Sequence, residues 1–462
     1  MINFSNSGIE SILQRRWLIW TFSILFYFAS LYPARFGKDT DAIMNDLSIG
    51  DSTSQWTALY FRFLQLISIN GHVVALASLV SLILYAFSLE IFLQGYSRSK
   101  KSRDWTRFFF ATSPFYGVFG MTIDHQLFSL CGLLNMISLL RMKTVGNENL
   151  PFLSRRFVSP TFFLISALFA QMTFQGLFLS IILIYMYLDL RGLFVIALLV
   201  SFSFISPNLL NVRSEMLSDM RLIPLLGDIK CVVQHPKVEL SATQLRTLED
   251  LGPINSWKSL STCAVADNAF FALNGSSTIT REVIKLWVGL VKEYPQLVLT
   301  AHTQRSSMAL PPPFFRSQPN HMPTDDLLPA GKETSVELHQ WSELFKTSVD
   351  NQELKESRPF IVRVLEPLPL LYAFIFNQNS MFWGWGGMWL FIFFILGSLR
   401  EVNHRKADFQ ITFILLSLSV VLFLISPISS PRYVFLQVVI GVIGTLDFII
   451  DRHYCRVQKQ IK

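Results

Sequence analysis

Long apolar blocks, each close to the length that crosses a lipid bilayer, recur from one end of this chain to the other. Crossing about 30 Å of hydrocarbon takes roughly 20 mostly apolar residues. Soluble amphipathic helices alternate polar and apolar faces and do not give such blocks. Hydrophobic residues make up 51% of the 462 positions and Phe appears 42 times, unlike the usage of a soluble globular chain. The sequence therefore predicts an integral membrane protein with several spans.

Short basic loops between these blocks orient the chain, because Lys and Arg concentrate on the cytoplasmic side of membrane proteins. The clearest is Ser97–Arg103, and the others are Arg141–Lys143, Arg400 with His404–Lys406, and the tail Arg452–Lys462. Placing them inside predicts about ten crossings with both termini cytoplasmic and a tight inner turn at Asp189–Arg191. The blocks used are Trp17–Pro33, His72–Tyr96, Trp105–Ile123, Leu127–Leu140, Pro160–Leu188 as two helices, Gly192–Ile205, Phe382–Leu399, Phe409–Ser426 and Tyr433–Ile450.

A shift of composition after Pro207 marks an inserted water-facing domain. Residues 211–363 contain many charges, the run Pro311–Pro313 and no spanning block. The predicted divisions are a membrane module at 1–210, an extracytoplasmic domain at 211–363 and a second membrane module at 364–462. The predicted fold class is an all-α polytopic membrane protein with an inserted α or α+β domain. The stretch Leu365–Phe376 is short and broken by prolines, which favours an interfacial position.

Several function classes are disfavoured by missing motifs. The sequence has no GxxxxGK[ST] loop, no GxGxxG after a strand and no HExxH, so an ATP-driven pump is disfavoured. The net charge of +7 comes from basic loops beside apolar blocks, which argues against nucleic acid as a partner. The four cysteines show no metal-binding spacing. Cys231 and Cys263 lie in the same inserted segment and could pair if that segment is extracytoplasmic, although sequence alone does not supply the bridging geometry.

Polar residues beside the predicted outer face are candidates for chemistry. Asp39 and Asp41 follow the first helix, where a carboxylate can act as a general base toward an alcohol or bind a metal. Asp124 and His125 stand in the turn of a short hairpin on the same face. Arg432 lies at the outer end of the penultimate loop, where it could clamp a lipid phosphate. The alternatives are a solvated loop, a polar turn wetted by headgroups and a snorkelling helix anchor, respectively.

Short phrases of the sequence also resemble those of a known group of membrane enzymes. Tyr32–Ala34 ends the first helix, and Asp39–Thr40 follows soon after it. The inserted segment contains the phrases Leu226–Ile229, Leu248–Trp257 and Leu286–Pro295. With this layout the chain resembles the GT-C superfamily of multi-spanning glycosyltransferases, in particular a bacterial branch of that group.

The resemblance implies an inverting transfer of a sugar from a polyprenyl-phosphate donor to a cell-surface glycan, lipid or protein, at the outer face of a bacterial inner or plasma membrane. It implies Asp39 as the catalytic base that takes the acceptor proton. Asp124 or His125 would contact the acceptor or a metal, and Arg432 would bind the donor phosphate. The cofactor in question is a divalent cation, Mg²⁺ or Mn²⁺.

Three departures separate this chain from that pattern. Ala34 replaces the usual glycine, Trp56–Ala58 stands where His-Pro-Pro often occurs, and no Trp-Lys-Asp phrase occurs around Ile123–His125. Two other functions remain open: a transporter or flippase of a lipid-linked or small substrate, and a non-enzymatic scaffold whose outer domain binds a partner. A transporter would need polar residues inside several helices, and apart from Gln171–Gly176 the apolar blocks are predicted to be largely free of them.

Overall fold

The computed structural model describes residues 7–32, 43–44, 46–47, 50, 57–97, 99–121, 123–146, 158–212, 222–259, 279–306, 309–310, 364–365, 385–425 and 431–461. Within these ranges all the regular structure is helical. The first membrane module contains α1 (Ser7–Leu31), α2 (Ala58–Ile67), α3 (Val74–Tyr96), α4 (Lys100–Thr112), α5 (Pro114–Met121), α6 (His125–Val145), α7 (Val158–Ala170), α8 (Phe174–Leu188) and α9 (Gly192–Leu209). The inserted domain contains α10 (Ile223–Gln234), α11 (Ala242–Leu251), α12 (Ile254–Ser259), α13 (Ile279–Glu293) and α14 (Pro295–Arg305). The last module contains α15 (Gly386–Ser398), α16 (Val402–Ile425) and α17 (Pro431–Ile461).

Five helical stretches of the described chain are long and apolar enough to cross a membrane. They are Val74–Tyr96, His125–Val145, Phe174–Leu209, His404–Leu424 and Val434–His453. Shorter apolar helices accompany them at Trp17–Leu31, Ala58–Ile67, Ser159–Ala170 and Gly386–Ser398. The chain is thus a helical membrane protein, whereas the full count of ten crossings stays a prediction.

The 36-residue stretch Phe174–Leu209 folds back on itself. At its middle Asp189 has a φ of 54°, which is uncommon for a residue other than glycine and marks a turn. The Ser203 hydroxyl, late in α9, donates to Gln171 Oε1 just before α8, at 3.0 Å. Since residues from the two far ends meet, α8 and α9 run antiparallel. The predicted turn at Asp189–Arg191 is therefore present, in the form of a short 3₁₀ helix.

The predicted span Trp105–Ile123 is two helices in the structure. α4 starts inside the stretch predicted as a basic loop, because Ser99 Oγ accepts a hydrogen bond from the Ser102 N–H at 3.0 Å and caps the helix. α5 begins at Pro114, and a proline has no N–H with which to continue the preceding helix. The segment is therefore broken where a single straight span was expected.

The helix α6 lies at the centre of the membrane bundle. Every residue from Gln126 to Arg141 is buried, and α6 packs against α3, α7, α8, α16 and α17. Gly132 lets α7 approach closely, since a Cβ at this position would meet the Ser166 carbonyl oxygen and come within 2.5 Å of the Ala170 nitrogen. One continuous apolar core contains residues from before and after the inserted domain. The two membrane modules thus form a single bundle.

The described part of the inserted domain has a separate apolar core. Leu226, Leu248, Trp257 and Leu290 come from four different helices and are all fully buried. All the regular structure in residues 222–259 and 279–306 is helical. Of the two predicted forms, α and α+β, the described part of the domain therefore has the α form.

Cysteine chemistry agrees with an oxidising surrounding for this domain. Cys231 on α10 is disulfide-bonded, whereas Cys131 in the membrane core is a free thiol. Disulfides persist mainly outside the cytoplasm. Cys263 lies outside the described residues, so its pairing with Cys231 stays a prediction.

Loops gather at two opposite ends of the bundle, named here the Asp124 end and the Arg400 end after one residue of each. The predicted basic loops share the Arg400 end: the Ser102 hydroxyl bonds to Asp447 of α17 at 2.7 Å, and Lys143 Nζ donates to the Tyr187 carbonyl at 2.5 Å. This grouping is what alternating crossings require. Which end faces the cytoplasm stays a prediction.

Candidate active site at the Asp124 end

Asp124 starts the central helix α6 as its N-cap. Its backbone is extended, and its carboxylate accepts a hydrogen bond from the Gln126 N–H at 2.7 Å. The first N–H groups of a helix have no intrahelical partner, which explains why an aspartate is favourable here. Its side chain is 12% exposed. The polar turn expected from the sequence is thus the ordered start of a helix, which fixes the carboxylate in place.

His125 forms an acid–base pair with this carboxylate. His125 Nδ1 lies 3.0 Å from Asp124 Oδ1, and the His125 side chain is 14% exposed. The other ring nitrogen, Nε2, lies 3.3 Å from Gln126 Nε2. Because an amide nitrogen can only donate, this arrangement favours the tautomer with the proton on Nδ1. An imidazole oriented in this way by a carboxylate can accept a proton at Nε2.

The segment after the first helix packs over this pair. The stretch between the first two predicted spans contains the helix α2, which was not predicted, and the ring of its Tyr60 lies 5.6 Å from the His125 ring. The Tyr60 hydroxyl donates to the Ile123 carbonyl at 3.4 Å. Ile43, two positions after Asp41, is buried in the same apolar cluster as Ile123. Asp39 and Asp41 themselves lie outside the described residues.

The N-terminal end of α17 lies at the same end of the bundle as Asp124. The Phe435 ring packs on the Phe119 ring with 4.1 Å between centroids. Phe119 precedes Asp124 by about one helical turn, and Phe435 follows Arg432 by about one turn. The backbone of Arg432 therefore lies at the Asp124 end. Its side chain is outside the described part of the structure.

The inserted domain begins at the Asp124 end. Arg62 of α2 donates to the carbonyl oxygens of Leu210 (2.7 Å) and Asn211 (3.0 Å), where the chain departs toward the domain. Farther along the domain, the Ser419 hydroxyl of α16 donates to the Ala309 carbonyl at 2.6 Å. The domain, α2 and Asp124 thus share one end of the bundle.

A buried charge cluster in the domain anchors it to the membrane bundle. Asp228 is fully buried and accepts hydrogen bonds from Trp287 Nε1 at 2.7 Å and from Arg305 Nη2. His302 Nδ1 lies 2.7 Å from the same carboxylate. The His302 ring packs against Phe423 of α16 at 5.6 Å. This cluster was not predicted, although a lone aspartate between apolar residues of α10 was a usable signal.

A larger buried ion network occupies the opposite end of the bundle. Arg400 donates to the Tyr96 hydroxyl at 2.9 Å, to Asp408 at 3.1 Å and to Asp447 at 2.9 Å. Arg141 pairs with the other Asp408 oxygen. Burial disfavours the Arg400 cation, yet its neighbours, Tyr96, Asp408 and Asp447, outweigh that effect and raise the pKa of Arg400 above its ordinary value. Arg400 therefore stays charged.

These buried charges correct the expectation that the spans are largely free of polar groups. Glu90 in α3 is also buried and pairs with Arg107, whose Nε lies 2.8 Å from Glu90 Oε2. Glu90 and Asp447 each stand inside a predicted apolar block and Asp408 directly precedes one, which was a usable signal of buried charge. Since every one of these carboxylates has a cationic partner, the network is suited to holding helices together.

The described residues contain no group of three or more His, Cys, Asp or Glu side chains arranged to hold a metal ion. Asp124 and His125 supply two neighbouring donor groups, fewer than a protein Mg²⁺ or Mn²⁺ site uses unless waters or substrate complete it. Asp39 and Asp41 are the other ligands named from the sequence. The divalent cation stays a prediction.

No family model, curated protein or solved structure matches this chain. The GT-C resemblance therefore depends on the short sequence phrases alone.

Proposed function

We propose that this protein is a membrane glycosyltransferase of the GT-C type. It would move a sugar from a polyprenyl-phosphate donor to a glycan, lipid or protein acceptor at the cell surface, in a bacterial inner or plasma membrane with both termini inside. The observation that carries the proposal is the ordered Asp124–His125 pair at the end of the bundle where the inserted domain begins.

The position of this pair suits a reaction between a lipid-linked donor and a polar acceptor. A donor lipid presents its sugar phosphate at the membrane surface, and the acceptor arrives from water, so reactive groups belong at the end of the spanning helices. Asp124 caps the span His125–Val145 and therefore stands at such an end. The side chains of Asp124 and His125 are 12% and 14% exposed, which leaves them partly accessible to a substrate.

In the proposed mechanism a carboxylate removes the proton from the acceptor hydroxyl as its oxygen attacks the anomeric carbon of the sugar. The bond from that carbon to the phosphate oxygen breaks, and its electron pair leaves with the polyprenyl phosphate. One displacement inverts the configuration of the anomeric carbon. Asp39 is the base by family resemblance, Asp41, Asp124 and His125 orient the acceptor, and Arg432 stabilises the departing phosphate.

A transporter or flippase is the second candidate, because Glu90, Asp408 and Asp447 place ionisable groups inside membrane spans. These groups are fully paired and gather near the Arg400 end, so they offer no continuous polar route through the bundle. The two functions differ in their product, since only the enzyme releases free polyprenyl phosphate.

The test incubates the purified full-length protein in lipid nanodiscs with a panel of polyprenyl-phosphate sugars and measures the release of polyprenyl phosphate. We expect Asp39→Asn to lower the rate by at least about 100-fold, the usual contribution of a general base. His125→Gln should lower it less. Asp189→Asn is the matched control, because Asp189 is exposed at the opposite end of the bundle.

Wild-type rates for Asp39→Asn and His125→Gln would contradict the assigned roles. If no donor of the panel is cleaved while a labelled lipid-linked sugar crosses the bilayer of proteoliposomes, the transporter replaces the enzyme.

A further inference from the structure

A groove between α8 and α16 at the Arg400 end has the chemistry of a lipid site. Its cavity measures about 490 Å³, within the range of ligand-binding pockets. The cavity lies between Met186 of α8 and one face of α16. It combines two cations, Arg405 and Lys406, with an apolar wall that is formed by Met186, Val402, Phe409 and Phe413.

The cationic part of the groove is at the start of a membrane span. Arg405 and Lys406 are exposed and stand at the beginning of the candidate span His404–Leu424. Arg405 Nε and Nη2 donate to the Arg400 carbonyl at 3.1 and 2.9 Å, which holds the guanidinium in one place. None of the described residues that line the groove is acidic. The groove is therefore complementary to an anion at headgroup depth.

The apolar part extends from there into the span. Phe409 and Phe413 follow on the same face of α16, and the rise of a helix places Phe413 about 10 Å beyond Lys406. Both rings are partly exposed, at 40% and 56%. A soluble anion would use the cations but not this wall, whereas an acyl chain would cover both rings.

We propose that this groove binds an anionic phospholipid, with its phosphate at Arg405 and Lys406 and one acyl chain along Phe409 and Phe413. Basic pockets between membrane helices bind acidic lipid headgroups in this way. The binding is independent of the glycosyltransferase proposal, since the groove is at the opposite end of the bundle from Asp124. Such binding would place an anionic lipid at the Arg400 end, where the basic loops lie.

The test measures which lipids stay bound to the full-length protein in native mass spectrometry, after reconstitution in equal amounts of phosphatidylglycerol and phosphatidylcholine. We expect wild type to retain phosphatidylglycerol preferentially, and the double variant Arg405→Gln with Lys406→Gln to lower that preference by about tenfold. Both side chains are exposed, so the variant should fold, and size-exclusion chromatography checks this. Arg452→Gln is the control, since Arg452 is an exposed arginine in α17 outside the groove.

Three results would overturn the proposal. The first is equal retention of the two lipids by wild type, and the second is an unchanged lipid preference in the double variant. The third is an equal loss of preference in Arg452→Gln, which would indicate unspecific attraction of the lipid to the basic surface. Inorganic phosphate provides a further arm. If it alone displaces phosphatidylglycerol, the groove is a site for soluble anions and the lipid assignment is wrong.

Discussion

The two ends of the bundle both contain buried or half-buried charges, yet they are built differently. At the Arg400 end, Arg141 and Asp408 are each 1% exposed, and each pairs with an opposite charge. At the Asp124 end, Asp124 and His125 are 12% and 14% exposed. Groups that are sealed and mutually neutralised stabilise structure, whereas an ordered pair that stays partly accessible can still meet a substrate.

The largest effect is expected when the Arg400 end is disrupted. Arg400→Ala leaves the carboxylates of Asp408 and Asp447 buried with one cation fewer, which should destabilise the protein by about 3–5 kcal/mol. Thermal unfolding of the purified protein in detergent measures the change. Arg452→Ala should change stability by less than about 1 kcal/mol, since its contact with Phe448 is exposed. Equal stability of Arg400→Ala and wild type would show that the network is not structural.

A second prediction concerns the inserted domain. Cys231→Ser removes a disulfide and should lower the stability of that domain by about 2–4 kcal/mol. Limited proteolysis under non-reducing conditions measures it, because a loosened domain is cleaved faster while the membrane core stays protected. Cys131→Ser, which changes a free thiol in α6, should leave cleavage of the domain unchanged. The reverse pattern would contradict a separately folded domain closed by this disulfide.

The smallest effect on stability, and a large one on activity, is expected at the Asp124 end. Asp124→Ala removes the cap of α6 and should cost about 1 kcal/mol, whereas Asp124→Asn keeps a good cap and should cost only a few tenths. Both variants should nevertheless lose transfer activity, because both lack the carboxylate beside His125. Unfolding temperature and polyprenyl-phosphate release are measured on the same preparations. Full activity of Asp124→Asn would show that capping is the only role of Asp124.

Much of this comparison could be predicted from the sequence. Long apolar blocks located most of the membrane helices, since burial in lipid leaves few alternatives to a helix. The basic loops correctly predicted that Ser102, Lys143 and Arg400 lie at the same end of the bundle. The break at Pro114 and the helix α2 were missed, because one proline and one short amphipathic segment give weak local signals.

The candidate site could be predicted only in part. Asp124 and His125 could be singled out as candidates because two ionisable residues stand alone in a short turn. Their pairing with each other, and the closeness of Tyr60, depend on packing between distant segments that no local pattern reveals. The network around Arg400 was missed for the same reason, since its members come from α3, α6, α16 and α17 and from the turn after α15.

The measurement that tests the account most directly is the sidedness of the two ends. Single cysteines are introduced at the exposed positions Asp250, in the inserted domain, and Arg452, at the Arg400 end, in a Cys455→Ser background that also serves as the blank. Intact cells are then treated with a membrane-impermeant thiol reagent. The account predicts labelling of Asp250→Cys in intact cells and of Arg452→Cys only after the membrane is opened. Labelling of both positions from the same side would contradict it, since the Asp124 site and the Arg400 network would then share one face of the membrane.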